Sequence, residues 1–166
     1  MRAFLDVIAY AEGTCIFSSQ KQESQKQEYE CGYTVLYGGG NFYSYHDHPR
    51  KNLCYLSNKR LLKSTAAGRY QILARTWDNW APILQLRTFS PQSQDKLALA
   101  LIRECGALQD VIQGRYHKAL KKVCSIWASL PGASYGQRVL NQTTLTRVYN
   151  ERLMLHYMWH QKKYCS

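Results

Sequence analysis

The sequence predicts an α+β chain, mostly helical with one small β-hairpin lobe, and three observations carry that expectation. An almost uninterrupted apolar run from Ala3 to Ala11 ends at Gly13. Two short β-prone runs, Tyr33 to Tyr37 and Asn41 to Tyr45, flank Gly38, Gly39 and Gly40. From Ile72 onward, segment after segment carries apolar residues at helical spacing. Period and punctuation thus place helix, hairpin, then helices.

Taken in order, the first run has Asp6 as its one charged residue, so a helix there has no polar face and should be buried. Gly13 is the expected C-terminal stop, which puts Glu12 in the last turn, near the negative end of the helix dipole. Burial and dipole together should raise the Glu12 pKa and keep it protonated near neutral pH, as a general acid requires. The competing reading is an ordinary surface glutamate. Residues 18 to 30, rich in Gln, Lys, Glu and Ser without apolar period, read as a solvent-exposed loop. The glycine-turned hairpin comes next, and Leu53 to Leu56 is expected to add a third short strand.

The stretch Ser64 to Leu73, S-T-A-A-G-R-Y-Q-I-L, is read as a small-residue loop with Thr65 and Gly68 that passes into a helix through Ile72, Leu73, Thr76 and Trp77. Small residues let a backbone approach a ligand, and Tyr70 and Gln71 would offer a ring and an amide at the corner. Tyr70 as plain core is the alternative. Ser90-Pro91 starts a helix that stops at Gly106. Helices over Leu108 to Gln113 and Tyr116 to Trp127 come next, and Pro131-Gly132 breaks the pattern before Tyr135-Gly136-Gln137. The last helix, Thr143 to Lys163, carries Leu145, Val148, Tyr149, Arg152, Leu155 and Trp159 on one stripe. Two readings of it stay open: packing on the domain, and contact with an anionic membrane through its basic faces.

At 166 residues the chain is expected to be a single domain with its own core, spanning residues 1–166. Lysine and arginine number 22 against 11 acidic residues, and the net charge of +11 points to a polyanion: nucleic acid, an anionic membrane or the bacterial wall. The 13 tyrosines and 4 tryptophans suit stacked bases and sugar faces alike. The six cysteines form no C-x-x-C pair, and His46 and His48 have no cysteine at ligand spacing, so no metal is expected. A disulfide such as Cys15–Cys31 fits an oxidising compartment, with free buried thiols as the alternative. The N-terminus, broken by Asp6, reads as neither signal peptide nor membrane span.

A helix ending in Glu-Gly, a hairpin lobe and several helices together resemble the lysozyme fold, with a cleft between lobes. The likeness becomes specific in A-x-x-E-G-T at Ala9 to Thr14, D-H-P-R-K at Asp47 to Lys51, K-S-T-A-A-G-R-Y-Q-I-L at Lys63 to Leu73, F-S-P-Q-S-Q-D at Phe89 to Asp95, and I-W-A-S-L-P-G-A-S-Y-G-Q at Ile126 to Gln137. In this order they closely resemble the phage lambda endolysin family; residues 138–166 diverge. The resemblance implies cleavage of peptidoglycan between N-acetylmuramic acid and N-acetylglucosamine, usually by lytic transglycosylation, without a cofactor. It implies Glu12 as the catalytic residue and Thr65, Gly68, Tyr70, Gln71, Tyr135 and Gln137 as the glycan-binding set. Thr34 stands where the family pattern would have an aspartate. The expected partners are peptidoglycan glycan strands and, through the last helix, an anionic outer-membrane surface; nucleic acid is not expected, and the chain should be a monomer. Such an enzyme would be made in the host cytoplasm and reach the periplasm through a separate holin-type pore.

Retaining and inverting glycosidases normally need two carboxyl groups, and Asp47 is the best second candidate. A structural ion pair with Arg50 is its competing role. A transglycosylase needs one carboxyl only, because the substrate's own C6 hydroxyl attacks. A hydrolytic muramidase on the same fold and a non-catalytic basic binder are the rivals.

Overall fold

The computed structural model describes residues 1–15, 31–57, 60–133 and 140–164, with the side chains of all of these except 55–57, 60–62 and 162–164. In chain order the elements are α1 (Arg2–Ala11), β1 (Leu53–Ser57), β2 (Arg60–Ser64), α2 (Ala74–Ile83), α3 (Pro91–Glu104), α4 (Leu108–Ile112), α5 (Tyr116–Val123) and α6 (Gln142–Tyr164). The chain forms two compact units, one of residues 1–11 with 100–166 and the other of residues 12–99. No helix among the described residues is long and apolar enough to cross a membrane.

The first unit is helical. Its α1 buries Ala3, Phe4, Leu5, Val7, Ile8, Ala9 and Ala11, and packs on α6. Asp6 is buried too. Its carboxylate accepts hydrogen bonds from Arg152 Nε at 2.9 Å and His156 Nε2 at 2.8 Å, both on α6. The long-range partner that the charge required is therefore supplied by the last helix. Asp110 of α4 does similar service, receiving Lys122 Nζ and Arg115 Nε at 2.6 Å each, and those two cations hold its carboxyl below the ordinary aspartate range. Leu145, Val148 and Arg152 of the predicted α6 stripe are buried, whereas Leu155 is exposed. The N-terminal half of α6 thus packs inward as an apolar stripe should.

The second unit is rich in loops, and here the β reading needs correction. The runs around Gly38 to Gly40 make one isolated bridge, Val35 to Asn41, not a ladder. The turn itself forms, with Leu36 N–H donating to Gly40 O at 3.0 Å and Phe42 N–H to Thr34 O at 2.9 Å. The ladder stops because the first run spends its remaining backbone groups elsewhere: Gly68 N–H donates to Val35 O at 2.8 Å and Tyr37 N–H to Ala66 O at 3.0 Å. Instead, the two-stranded sheet pairs β1 with β2, antiparallel, from Leu53 opposite Ser64 to Ser57 opposite Arg60. The expected strand at Leu53 is thus real, but its partner is the segment after it. The predicted loop at 18–30 lies outside the described residues.

Phe89, fully buried, centres an aromatic core in this unit, with His48 at 4.7 Å, Trp77 at 5.0 Å and Phe42 at 5.8 Å between ring centroids. The helix expected through Ile72 begins later, at Ala74, because Ala67 and Ile72 exchange two backbone hydrogen bonds, of 3.0 and 2.9 Å, that close a tight corner over residues 67–72.

Candidate active site

Helix α1 ends at Ala11, and Glu12 lies in the turn just beyond it, half-buried, before Gly13 at φ 69°. The carboxylate thus leaves the helix one residue earlier than the glycine stop suggested. The residues after Gly13 anchor the segment. The Thr14 hydroxyl, buried, donates to the Arg69 carbonyl at 2.6 Å, and Cys15 is joined to Cys31 by a disulfide. Gly32 lies so close that a Cβ there would stand 2.7 Å from the Thr14 carbonyl oxygen. The Arg69 guanidinium donates to the Cys31 carbonyl and stacks over the Tyr33 ring at 5.2 Å. Glu12 is therefore carried by a short stretch bound directly to the Gly68 to Gln71 corner.

That corner is held from α3. Gln94 is fully buried, and its amide makes three bonds to backbone: Oε1 accepts from Arg69 N–H at 2.9 Å, and Nε2 donates to Tyr33 O at 3.0 Å and Phe89 O at 2.9 Å. Gly68, at φ 77°, is needed for the approach, since a Cβ on it would stand 2.2 Å from Gln94 Oε1. Beside Gln94, Asp95 Oδ1 accepts the Tyr33 hydroxyl at 2.7 Å and the Tyr70 hydroxyl at 2.6 Å. Loops cannot satisfy their own backbone groups as helices do, and one amide side chain does it here for three segments.

The candidate residues separate accordingly. Gly68, Tyr70 and Gln71 share the corner. Tyr70 is fully buried, so its ring is core and offers no face to a sugar; burial and the nearby Asp95 push its hydroxyl pKa well up, leaving it a permanent donor. Gln71 is half-buried in the left-handed region at φ 46°, its Nε2 directed at Gly68 O at 3.1 Å and Val35 O at 3.3 Å. A non-glycine residue held there is the sort of strain that collects at functional corners. Thr65, half-buried, accepts the Ala74 N–H at 3.1 Å and so caps α2. Tyr135 and Gln137 lie outside the described residues. Thr34 donates to Asn41 Oδ1 at 2.9 Å.

Asp47, Asp78 and Asp95 of the unit of residues 12–99 each accept hydrogen bonds from structural partners. Asp47 accepts from Trp77 Nε1 at 2.8 Å, His48 N–H at 2.7 Å and the Arg50 guanidinium. Desolvation pushes its pKa up, but these bonds, that from Arg50 first, outweigh it and hold the carboxyl low. Asp78 takes the other side of the Arg50 fork, and Asp95 takes the two tyrosines. His48, which the sequence offered beside His46 as a conceivable ligand, is buried, with Nε2 on Ile72 O at 2.9 Å and Nδ1 accepting Arg50 N–H at 3.0 Å. Burial lowers its pKa, so it is a neutral structural ring. The sequence reading singled out neither Arg69 nor Gln94 nor Asp95 as residues that build this corner, although G-R-Y-Q and F-S-P-Q-S-Q-D contain them.

The profile of the family described as Endolysin matches residues 2–154. The endolysin of Escherichia phage lambda is 48% identical over 136 residues, covering 82% of this chain and 80% of that one. The endolysin of Escherichia phage P2 is 42% identical over 154 residues, covering 89% and 88%. Among solved structures, bacteriophage lambda lysozyme complexed with a chitohexasaccharide aligns with a TM-score of 0.77 at 44% identity, covering 90% of this chain and 91% of that one. A second structure of lysozyme from bacteriophage lambda aligns at 0.72 and 43%, with the same coverage. With the Glu-Gly turn, the Gly68 corner and these likenesses in place, the chain belongs to the endolysin family.

Proposed function

We propose that this endolysin cuts the β-1,4 bond between N-acetylmuramic acid and N-acetylglucosamine by lytic transglycosylation, with Glu12 as its single acid and base. The observation that supports the reading is the structural role of Asp47, the best candidate for a hydrolase's second carboxylate: it accepts from Trp77, His48 and Arg50 and is held low by them, while Glu12 stands at the Glu-Gly turn that resembles the family's. A hydrolase of the usual kind needs a second carboxylate as nucleophile or as base for water. Transglycosylation dispenses with it. Protonated Glu12 gives its proton to the glycosidic oxygen; as carboxylate it then accepts the proton of the muramic acid C6 hydroxyl, whose oxygen attacks C1 and closes the 1,6-anhydro ring.

In this reading Thr65, Gly68 and Gln71 meet the glycan at the corner, and the buried Tyr70 holds the corner without touching sugar. Tyr135 and Gln137 join the set through the likeness of their Y-G-Q element to the family's. The relative solved with a chitohexasaccharide supports an N-acetylated glycan as ligand. The net charge of +11 suits the carboxylates of the wall peptides. The enzyme would be made in the host cytoplasm and reach the wall through a separate pore, where an oxidising environment would preserve the Cys15–Cys31 bond beside Glu12.

Mass spectrometry of soluble fragments from purified Gram-negative peptidoglycan tests the proposal. Fragments ending in 1,6-anhydro-muramic acid, lighter by one water than hydrolytic products and lost with a folded Glu12→Gln variant, are expected. Reducing-end products would overturn transglycosylation in favour of a hydrolytic muramidase. Full activity in Glu12→Gln would remove Glu12 from the chemistry.

A further inference from the structure

Helix α6 changes character along its length. Up to Arg152 its buried residues are those of an ordinary packed stripe, but from Leu153 to Met158 the arrangement is inverted. Arg152 is 3% exposed and His156 is nearly buried, both directed inward to Asp6. Leu153, Met154, Leu155, Tyr157 and Met158 are all exposed, Met154 at 61% and Tyr157 at 62%. At 3.6 residues per turn these five fill a continuous arc of about 200°, and the polar side of the helix is the one that faces the core. A soluble helix does the reverse.

The chain's charge selects what covers such an arc. No acidic residue comes after Glu151, and His160, Lys162 and Lys163 lie beyond the arc in sequence. A second copy of the chain would bring another +11 against the same face, and self-repulsion opposes that. An anionic bilayer offers the complement: hydrocarbon for leucine and methionine, the interfacial layer for Tyr157, and phosphates for the basic residues beyond. No described helix is apolar enough to span, so the contact is one that lies on the surface.

We propose that the outward arc of α6, from Leu153 to Met158, docks on an anionic phospholipid surface. Binding there needs no wall substrate, so its test is independent of the transglycosylase reading. The full chain is sedimented with vesicles of phosphatidylethanolamine and phosphatidylglycerol, and with vesicles of phosphatidylcholine alone. Wild type should bind the anionic vesicles, less so as salt rises, and bind phosphatidylcholine weakly. Met154→Glu and Tyr157→Glu, both outward and exposed, should cut partitioning by about tenfold or more while leaving far-UV circular dichroism, melting temperature and degradation of purified peptidoglycan unchanged. The proposal is overturned if wild type stays in the supernatant with anionic vesicles, or if the glutamate variants bind as wild type does. A micromolar dimer in sedimentation equilibrium, abolished by Met154→Glu, would overturn it in favour of a second copy on the arc.

Discussion

The two compact units bury polar groups for different reasons. In the helical unit, α1 and α6 satisfy their own backbones, and the buried polar groups are charges that link one helix to another: Asp6 to Arg152 and His156, Asp110 to Lys122 and Arg115. In the unit of residues 12–99, loops run through the interior, and the buried Gln94 amide serves the backbone of Arg69, Tyr33 and Phe89. The first kind of contact joins two side chains, so both can be replaced together. The second joins a side chain to main chain, which no substitution can remove.

That difference can be broken by mutation. Gln94→Leu should cost the most, about 3–6 kcal/mol, because three buried backbone groups lose their partner at about 1–3 kcal/mol each. Urea unfolding measures it. No compensating change in its partners should recover the loss, since those partners are peptide groups. Arg152→Met should cost about 3–5 kcal/mol by removing the buried cation paired with Asp6, leaving His156 on that carboxylate. Here the paired replacement Asp6→Leu with Arg152→Met should return most of the stability; if it does not, the contrast between the units is wrong.

Gly68→Ala should cost about 2–3 kcal/mol, through a positive φ and a Cβ on top of Gln94 Oε1, and should lower wall degradation by disturbing the corner next to Gln71. Thermal melting and fragment release report the two effects separately. The smallest effect is a pH dependence. His48 binds its proton more weakly folded than unfolded, so its contribution is full above the unfolded pKa of about 6.5 and falls away as pH drops below it. Denaturant midpoints measured from about pH 7.5 down to about pH 5 should therefore fall with pH, and His48→Phe should flatten that slope.

Several features were legible because they are local. Gly13 and Gly106, both at positive φ, stop α1 and α3 as their residue type required, and the Ser90 hydroxyl accepts Ser93 N–H at 3.3 Å at the start of α3. Other features depend on partners far along the chain. The run at Tyr33 to Tyr37 has strand composition, yet its ladder was forfeited to residues 66–68. Tyr70 looked equally suited to a sugar or to the core until Asp95 claimed its hydroxyl. Asp6 announced a buried charge, while its partner stood 146 residues away.

By itself, then, the sequence determined where most helices lie, the glycine stops after α1 and α3, the basic balance and the Glu-Gly turn, since each depends on spacing and residue type within a few positions. The helix expected to run to Trp127, by contrast, ends at Val123. Tertiary structure alone decided which distant groups Asp6 and Asp95 bond, which strands pair, and which side of α6 faces out. Those outcomes turn on competition for a limited number of donors and acceptors, and a competition between distant segments has no local signature.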